Sequence, residues 1–364
     1  MKEKVGFIGL GLIGGSLAKA IRTYFPDYEI VAFDKNKEAL ALATQESVID
    51  VAATTIDDNF RNCSYIFLCA PVAFNVAYLK QLTEYLNDAC ILTDVGSVKT
   101  NIHEEVIKLG IEKYFIGGHP MAGSEKSGYA NSKAMILENA YFVLTPSKEV
   151  SQEKIDKYEQ LVSTIHALPI ILDYKEHDYI TGTISHLPHI IAATLVNYVK
   201  DSDTKSELMK RLAAGGFKDI TRIASSSPTM WQNICLSNTD SIIKFLDIYR
   251  RSLDRTMEAL KNEYSDYLYK IFETARDYRD SIPSNKSGTL PKIHEIYVDI
   301  PDVPGIIAII ATILSSNAVS IRNIGIVHNR EFENGVLRIE FYNDTDEAAA
   351  REALSKYPYP VYDR

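Results

Sequence analysis

The sequence predicts an α/β protein: an N-terminal Rossmann-type doubly wound sheet, an all-helical region after it, and a C-terminal ferredoxin-like βαββαβ unit. Three observations predict this. A short apolar run, Val5, Phe7 and Ile8, leads directly into Gly9-Leu10-Gly11-Leu12-Ile13-Gly14, a G-x-G-x-x-G turn between a strand and a helix. Apolar runs of strand length then alternate with helical spacers to about residue 172, as in parallel β-α-β units. From His177 to about Asp280 the strand pattern stops, and apolar residues recur every three or four positions, as on helix faces.

Each element follows from its residues. Gly9 permits the tight turn, Gly11 lets the backbone approach a pyrophosphate seated on the helix N-terminal amides, and Gly14 allows close helix–strand packing. The second strand, Glu29–Phe33, ends at Asp34, twenty residues past Gly14. An acid there accepts hydrogen bonds from ribose hydroxyls and repels a 2′-phosphate, so the cofactor expected is NAD rather than NADP. A helix is expected over Lys37–Gln45. The strand Tyr65–Leu68 ends in Cys69-Ala70-Pro71, on the sheet edge that faces a dinucleotide. A helix over 79–86 and a strand over 90–93 follow, the latter ending in Asp94-Val95-Gly96-Ser97-Val98-Lys99. Residues 115–117 read as a strand entering a glycine-flanked loop at 118–125, and 141–144 and 169–172 read as late strands of a parallel sheet. In the helical region the apolar sets Ile184, Leu187, Ile191, Leu195; Ile242, Phe245, Leu246, Tyr249; and Leu253, Met257, Leu260 cover more than one helix side, which predicts burial in a homodimer. Residues 281–292 hold two prolines, a glycine and three serines and read as a linker. Strands at 293–300, 320–327, 335–342 and 361–364, with helices at 306–314 and 347–355, give the order βαββαβ. The expected divisions are 1–172, 173–280, 281–292 and 293–364.

Composition narrows the function. With 364 residues the chain is long enough for two or three domains. Its net charge of -9 and lack of a basic patch argue against nucleic acid as partner. Cys63, Cys69, Cys90 and Cys235 show no metal-type spacing and suit reduced thiols in a cytoplasmic protein. The N-terminus opens directly into a strand, so no signal peptide is expected, and no apolar run approaches membrane-spanning length.

A cofactor that accepts hydride needs a substrate alcohol and a base for its proton. His119 is the candidate base, since a neutral imidazole accepts a proton at neutral pH. Ser97, at the preceding strand end, is a candidate bridge between substrate oxygen and nicotinamide; a second reading makes it the N-cap of a helix over 99–106. Ser185-His186-Leu187-Pro188-His189 sets two histidines three apart. One reading places a core histidine beside a carboxylate donor; zinc lacks a third ligand nearby. Gly215-Gly216 suggests a close backbone contact. Arg222 offers a planar fork for a carboxylate, with Asp219 orienting Arg222 or His189; the alternative is a surface Arg–Asp pair.

Together GLGLIGGS, DVGSVK, GGHPMAGSEKSG, SHLPH and GGFKDITRIA with Met230-Trp231 resemble, in order and spacing, the motifs of the prephenate dehydrogenase family of tyrosine biosynthesis. The terminal βαββαβ unit resembles an ACT domain, a small amino-acid-sensing module. The resemblance implies NAD-dependent oxidative decarboxylation of prephenate to 4-hydroxyphenylpyruvate in a homodimer. It implies that His119 is the base on the ring hydroxyl and that Ser97 contacts that hydroxyl and the nicotinamide. Arg222 would hold the ring carboxylate and His189 the pyruvyl end. His186, Glu125, Gly215, Asp219 and Trp231 would line or order the pocket, while Gly9, Gly11, Leu12, Ile13, Gly14, Asp34, Ala70 and Pro71 would hold NAD. It further implies feedback inhibition by tyrosine near Asp302, Val303, Pro304 and Gly305, with Asn317 and Asn323 as polar contacts. Arogenate as substrate remains open, as does a β-hydroxyacid dehydrogenase-type oxidoreductase, although the latter leaves SHLPH and GGFKDITR unexplained.

Overall fold

The computed structural model describes residues 2–123, 126–282, 294–301, 303–327 and 335–362. The chain forms two compact units, 1–288 and 289–364; each is described by itself.

The first unit opens with β1 (Lys4–Ile8), α1 (Leu12–Tyr24), β2 (Glu29–Phe33), α2 (Lys37–Gln45), β3 (Val51–Ala53), β4 (Tyr65–Leu68), α3 (Val72–Leu82), β5 (Ile91–Asp94) and α4 (Thr100–Leu109). Its five strands are parallel in the order β3-β2-β1-β4-β5. Alternation along the strands divides their side chains between two cores. Val5 and Phe7 face α1 through Leu17 and Ile21, whereas Ile8 and Leu68 join Leu79 of α3 and Ile102 and Val106 of α4. Helices therefore cover both faces, as expected of a doubly wound sheet.

The expectation of a wholly parallel sheet fails beyond β5. There β6 (Ile116–Pro120) makes a parallel bridge to β5 at Leu92 and Phe115, but β7 (Tyr141–Pro146) is antiparallel to β6 and β8 (Leu168–Ile171) is parallel to β7. No helix longer than a 3₁₀ turn separates β6 from β7 among the described residues, and without a long crossover an antiparallel return is the ready solution. The helix α5 (Gln152–Thr164) links β7 to β8. Two element boundaries also differ: α3 starts at Val72 rather than 79, and β6 runs on through His119 to Pro120.

After β8 the unit is helical. It comprises α6 (Tyr174–Thr181), a π-turn at Gly182–His186, α7 (Leu187–Ser202), α8 (Leu208–Leu212), α9 (Gly215–Thr221), α10 (Pro228–Ser237), α11 (Thr239–Lys261) and α12 (Ser265–Ser281). Large apolar side chains here lie open in the single chain, including Tyr198 (69% exposed), Leu212 (76%) and Phe272 (74%). Isolated apolar side chains are ordinary on a surface; a set of this size marks an interaction face. The expected linker falls, from residue 283, outside the described residues.

The second unit comprises β9 (His294–Ile300), α13 (Ile306–Ser316), β10 (Ile321–Val327), β11 (Gly335–Phe341), α14 (Asp344–Leu354) and β12 (Val361–Tyr362). The sheet is antiparallel, in the order β10-β11-β9-β12, which is the ferredoxin-like arrangement expected from sequence. One face packs Ile296, Val298, Leu337 and Ile339 against Ile310 and Leu314 of α13 and Leu354 of α14. No helix among the described residues is long and apolar enough to cross a membrane.

Candidate active site

The glycine turn is shaped by three different constraints. Gly9 has φ +104, and a Cβ there would lie 2.8 Å from the Ala70 nitrogen; only glycine tolerates both. A Cβ on Gly14 would sit 2.4 Å from the Gly9 carbonyl oxygen and 2.8 Å from Cys69 Cβ, so α1 meets the strand edge closely. Gly11 is different: a Cβ there would meet nothing within 4 Å. The fold does not require glycine at 11, whereas a ligand approaching the backbone would. Gly11 is the N-cap of α1 and brings no side-chain cap, so the first-turn amides at Leu12 and Ile13 are available to an anion. Asp34 ends β2 against this turn, accepting from Leu10 N (2.5 Å) and Asn36 N (2.7 Å). Ala70 and Pro71 follow β4 beside Gly9, and Pro71 caps α3. These residues fit a dinucleotide with an unphosphorylated ribose.

His119 lies on β6, opposite Val143 of β7, and not in the loop expected for it. Its half-buried ring meets a buried chain of polar groups. His119 Nδ1 is 2.7 Å from His177 Nε2, and His177 Nδ1 is 2.8 Å from Asp178 Oδ1. The Asp178 carboxylate also accepts from Lys99 N (2.7 Å) and Thr100 N (2.8 Å). It thus caps α4 from a helix 78 residues away in sequence, the role considered for Ser97. Ser97 lies half-buried before α4, beyond the strand end where Asp94 accepts from Gly96 N (2.9 Å). Behind these groups the fully buried Lys99 pairs with Asp94 and donates to the Gly118 carbonyl (2.7 Å), next to His119.

This environment sets protonation. Burial, with the neighbouring Lys99, pushes His119 well below the ordinary imidazole value. Burial works to raise Asp178, but hydrogen bonds from His177, Thr100 and Lys99 outweigh it and hold the carboxyl below its ordinary value. His119 is therefore a neutral acceptor beside an ionised carboxylate at neutral pH.

A second cluster forms in the helical region. Gly123, Lys126, Ser127, His189, Arg222 and Met230 border a cavity of ≈ 320 Å³. His189 Nδ1 donates to the Ser185 carbonyl (2.8 Å), and the ring stacks on Trp231 at 3.8 Å and 26°. Burial and Arg222 lower His189. The π-turn ends at His186 and α7 carries His189, and the two rings face different ways: His189 borders the cavity, but His186 is 1% exposed, 3.2 Å from Asn238 Nδ2, edge-on to Trp231 and pushed down to about 4 by burial. His186 is thus a core histidine packed against Trp231. π-turns of this kind recur at functional sites because the extra residue re-aims the side chains after it.

Other expected site residues fall elsewhere. Asp219 is exposed one turn before Arg222, whose amide bonds its carbonyl. Gly215 opens α9, and a Cβ on Gly216 would meet nothing within 4 Å among the described residues. Glu125 lies outside the described residues. His119 does not border the 320 Å³ cavity. Sequence reading missed His177, Asp178, Lys99 and Lys126. An adjacent His-Asp pair at the start of an otherwise apolar helical run was the available clue.

In the second unit Asp302 lies outside the described residues, and Gly305 caps α13 with φ +87, Val303 and Pro304 being exposed before it. Asn317 sits at the other end of α13, about 18 Å away at 1.5 Å per residue, and donates to the Ile313 carbonyl (2.8 Å). Asn323 pairs with Glu340 across β10 and β11, also at the end of the sheet away from Gly305. Among the described residues, the expected effector positions therefore do not converge within one chain. A wider groove of ≈ 540 Å³ near Arg351 and Tyr357 contains none of them. The group of three metal-type ligands found among the described residues, His294, Asp344 and Glu347, is in this unit and does not involve the SHLPH histidines.

Residues 17–170 match the family model described as prephenate dehydrogenase, nucleotide-binding domain, and residues 173–274 the model described as prephenate dehydrogenase, dimerization domain. A prephenate dehydrogenase of Bacillus subtilis is 38% identical over 356 residues, 97% of this chain and 96% of that protein. The structure of A. aeolicus prephenate dehydrogenase in complex with hydroxyphenyl propionate and NAD+ is similar with TM-score 0.72 and 30% identity, over 78% of this chain and 99% of that one. Arogenate dehydrogenase of Synechocystis gives TM-score 0.69 and 28% identity over 77% of this chain and all of that one.

Proposed function

The chain belongs to the prephenate dehydrogenase family and is an NAD-dependent oxidoreductase acting on prephenate, and we propose that His119 is the base of that reaction. The observation that carries the assignment is the hydrogen-bonded chain His119–His177–Asp178, which ends in an imidazole near the C-terminal end of β6. NAD, when bound, supplies the hydride acceptor for the ring carbinol carbon. His119 Nε2 takes the hydroxyl proton. Loss of CO2 then leaves an aromatic oxyanion, and the same Nε2 returns its proton to that oxygen, so turnover changes no net proton count on the protein. Ser97 is the second group on the reacting hydroxyl, with the nicotinamide beyond it.

Arg222 and Lys126 both line the cavity, and their donors suit a dianion. Arg222 positions the ring carboxylate without clamping it, because binding lost in the transition state would raise the barrier. His189 faces the side chain of the substrate. With Nδ1 committed to Ser185, its Nε2 donates only after taking a proton, which a bound carboxylate favours. Trp231, braced by His186, fixes that ring. The exposed apolar helical surface and the dimerization-domain match support a homodimer. The ferredoxin-like unit is proposed as an ACT-type sensor of tyrosine. Since Gly305 and the two asparagines lie at opposite ends of one unit, a site using both needs two copies. The likeness to arogenate dehydrogenase favours arogenate as the second substrate to test. Initial rates at 340 nm with prephenate and arogenate, with and without tyrosine, test the substrate and the effector: prephenate carries the higher kcat/KM and tyrosine inhibits. Equal or reversed kcat/KM would overturn the substrate assignment.

A further inference from the structure

Asp178 takes part in two structures at once. Its carboxylate closes the N-terminus of α4, after the Ser97 turn, through Lys99 N and Thr100 N, and it receives His177 Nδ1 on the other side. A carboxylate in that setting accepts only. His177 Nδ1 must therefore carry the proton, and in the neutral ring Nε2 is left with a lone pair. That lone pair lies 2.7 Å from His119 Nδ1. His119 Nδ1 must then be the donor, and the basic lone pair of His119 is fixed on Nε2. Each protonation site in the chain is dictated by the previous one, starting from a group that is itself buried and 2% exposed.

We propose that His177 is a positioning residue that, held by Asp178, sets the tautomer and ring orientation of His119. His177 touches neither substrate nor cofactor in this account; it acts through His119, and the proposal rests on the assignment of His119 as base. The arrangement is the second and third members of a Ser-His-Asp triad with an extra imidazole between base and carboxylate, and a wrong tautomer in such triads costs up to about 10⁴ in kcat.

The test compares three substitutions at 177 in the full chain, with His119→Asn alongside. A glutamine ends within reach of the Nε2 position and accepts from His119 Nδ1. An asparagine ends near the Nδ1 position and keeps only the bond to Asp178. A leucine keeps neither. The expected result is kcat at least 30-fold below wild type for His177→Leu and His177→Asn, with KM for NAD within about twofold. His177→Gln should recover at least tenfold over His177→Asn. If the buried leucine prevents folding, the two amides still decide. Glutamine no better than asparagine, or asparagine at wild-type kcat, overturns the proposal. If His119→Asn is slow in that case, only the role of His177 has failed; if His119→Asn also turns over normally, the base assignment has failed with it.

Discussion

The two halves of the proposed active site are built to different tolerances. The proton-handling half is closed: His177 and Asp178 are at most 2% exposed, Lys99 is fully buried, and both ring nitrogens of His177 and both oxygens of Asp178 are hydrogen-bonded. The anion-handling half is open. His189 is half-buried, and the cavity it borders with Arg222 and Lys126 is wide. The contrast has a physical reason. A proton acceptor must have one tautomer and one position before substrate arrives, because any reorganisation adds to the barrier. A carboxylate clamp must admit and release a dianion, so its cations stay near solvent. The closed half should therefore govern kcat and the open half KM.

The largest effect should come from the closed half. His119→Asn removes the base and keeps a similar shape; kcat should fall by roughly 10²–10⁴ with NAD affinity retained by titration. Next, Arg222→Ala should raise KM for prephenate roughly 10- to 100-fold, as expected for loss of a charged hydrogen bond of about 1.5–3 kcal/mol, and change kcat much less. If Arg222→Ala lowers kcat as deeply as His119→Asn does, the two halves are not separable.

A smaller effect is on stability. His103 and His186 are held at about 3 and about 4, chiefly by burial, whereas unfolded histidine titrates near 6.5. A base whose folded value is depressed contributes fully above the unfolded value and loses that contribution as pH falls from 6.5 toward 4. Each should cost about 1.4 kcal/mol per pH unit in that window. Thermal melts should show Tm falling between pH 7 and 5, and a flat Tm would mean that these rings are charged in the fold. The smallest effect on turnover should come from truncation after residue 282. The first unit has its own cores and the second unit another, so kcat should change little while inhibition by tyrosine disappears. Inhibition that survives truncation would move tyrosine to the active site.

Much of the frame was legible in the residues. Gly9 to Gly14, the strand Glu29–Phe33 with Asp34, and the helix Lys37–Gln45 fall where spacing puts them, because local propensity and burial agree there. The misses share a cause. Gly118 read as the start of a loop, yet it is in β6, where a Cβ would lie 2.6 Å from the Asp94 carbonyl; the glycine serves tertiary closeness rather than a turn. Strand patterns carry no direction, so the reversal at β7 was hidden. His177 meets His119 across 58 residues, and no periodicity encodes that. The open half was more legible, because Arg222 and His189 stand in dense local motifs. The closed half depends on contacts between distant elements.

The central claim is that His119 waits as a neutral imidazole with its proton on Nδ1 and its lone pair on Nε2. Nitrogen-15 NMR of histidine-labelled protein at pH 7, with the His119 resonances assigned by their loss in His119→Asn, reads this directly. The account predicts a protonated Nδ1 and an unprotonated Nε2. An imidazolium, or a proton on Nε2, would contradict it.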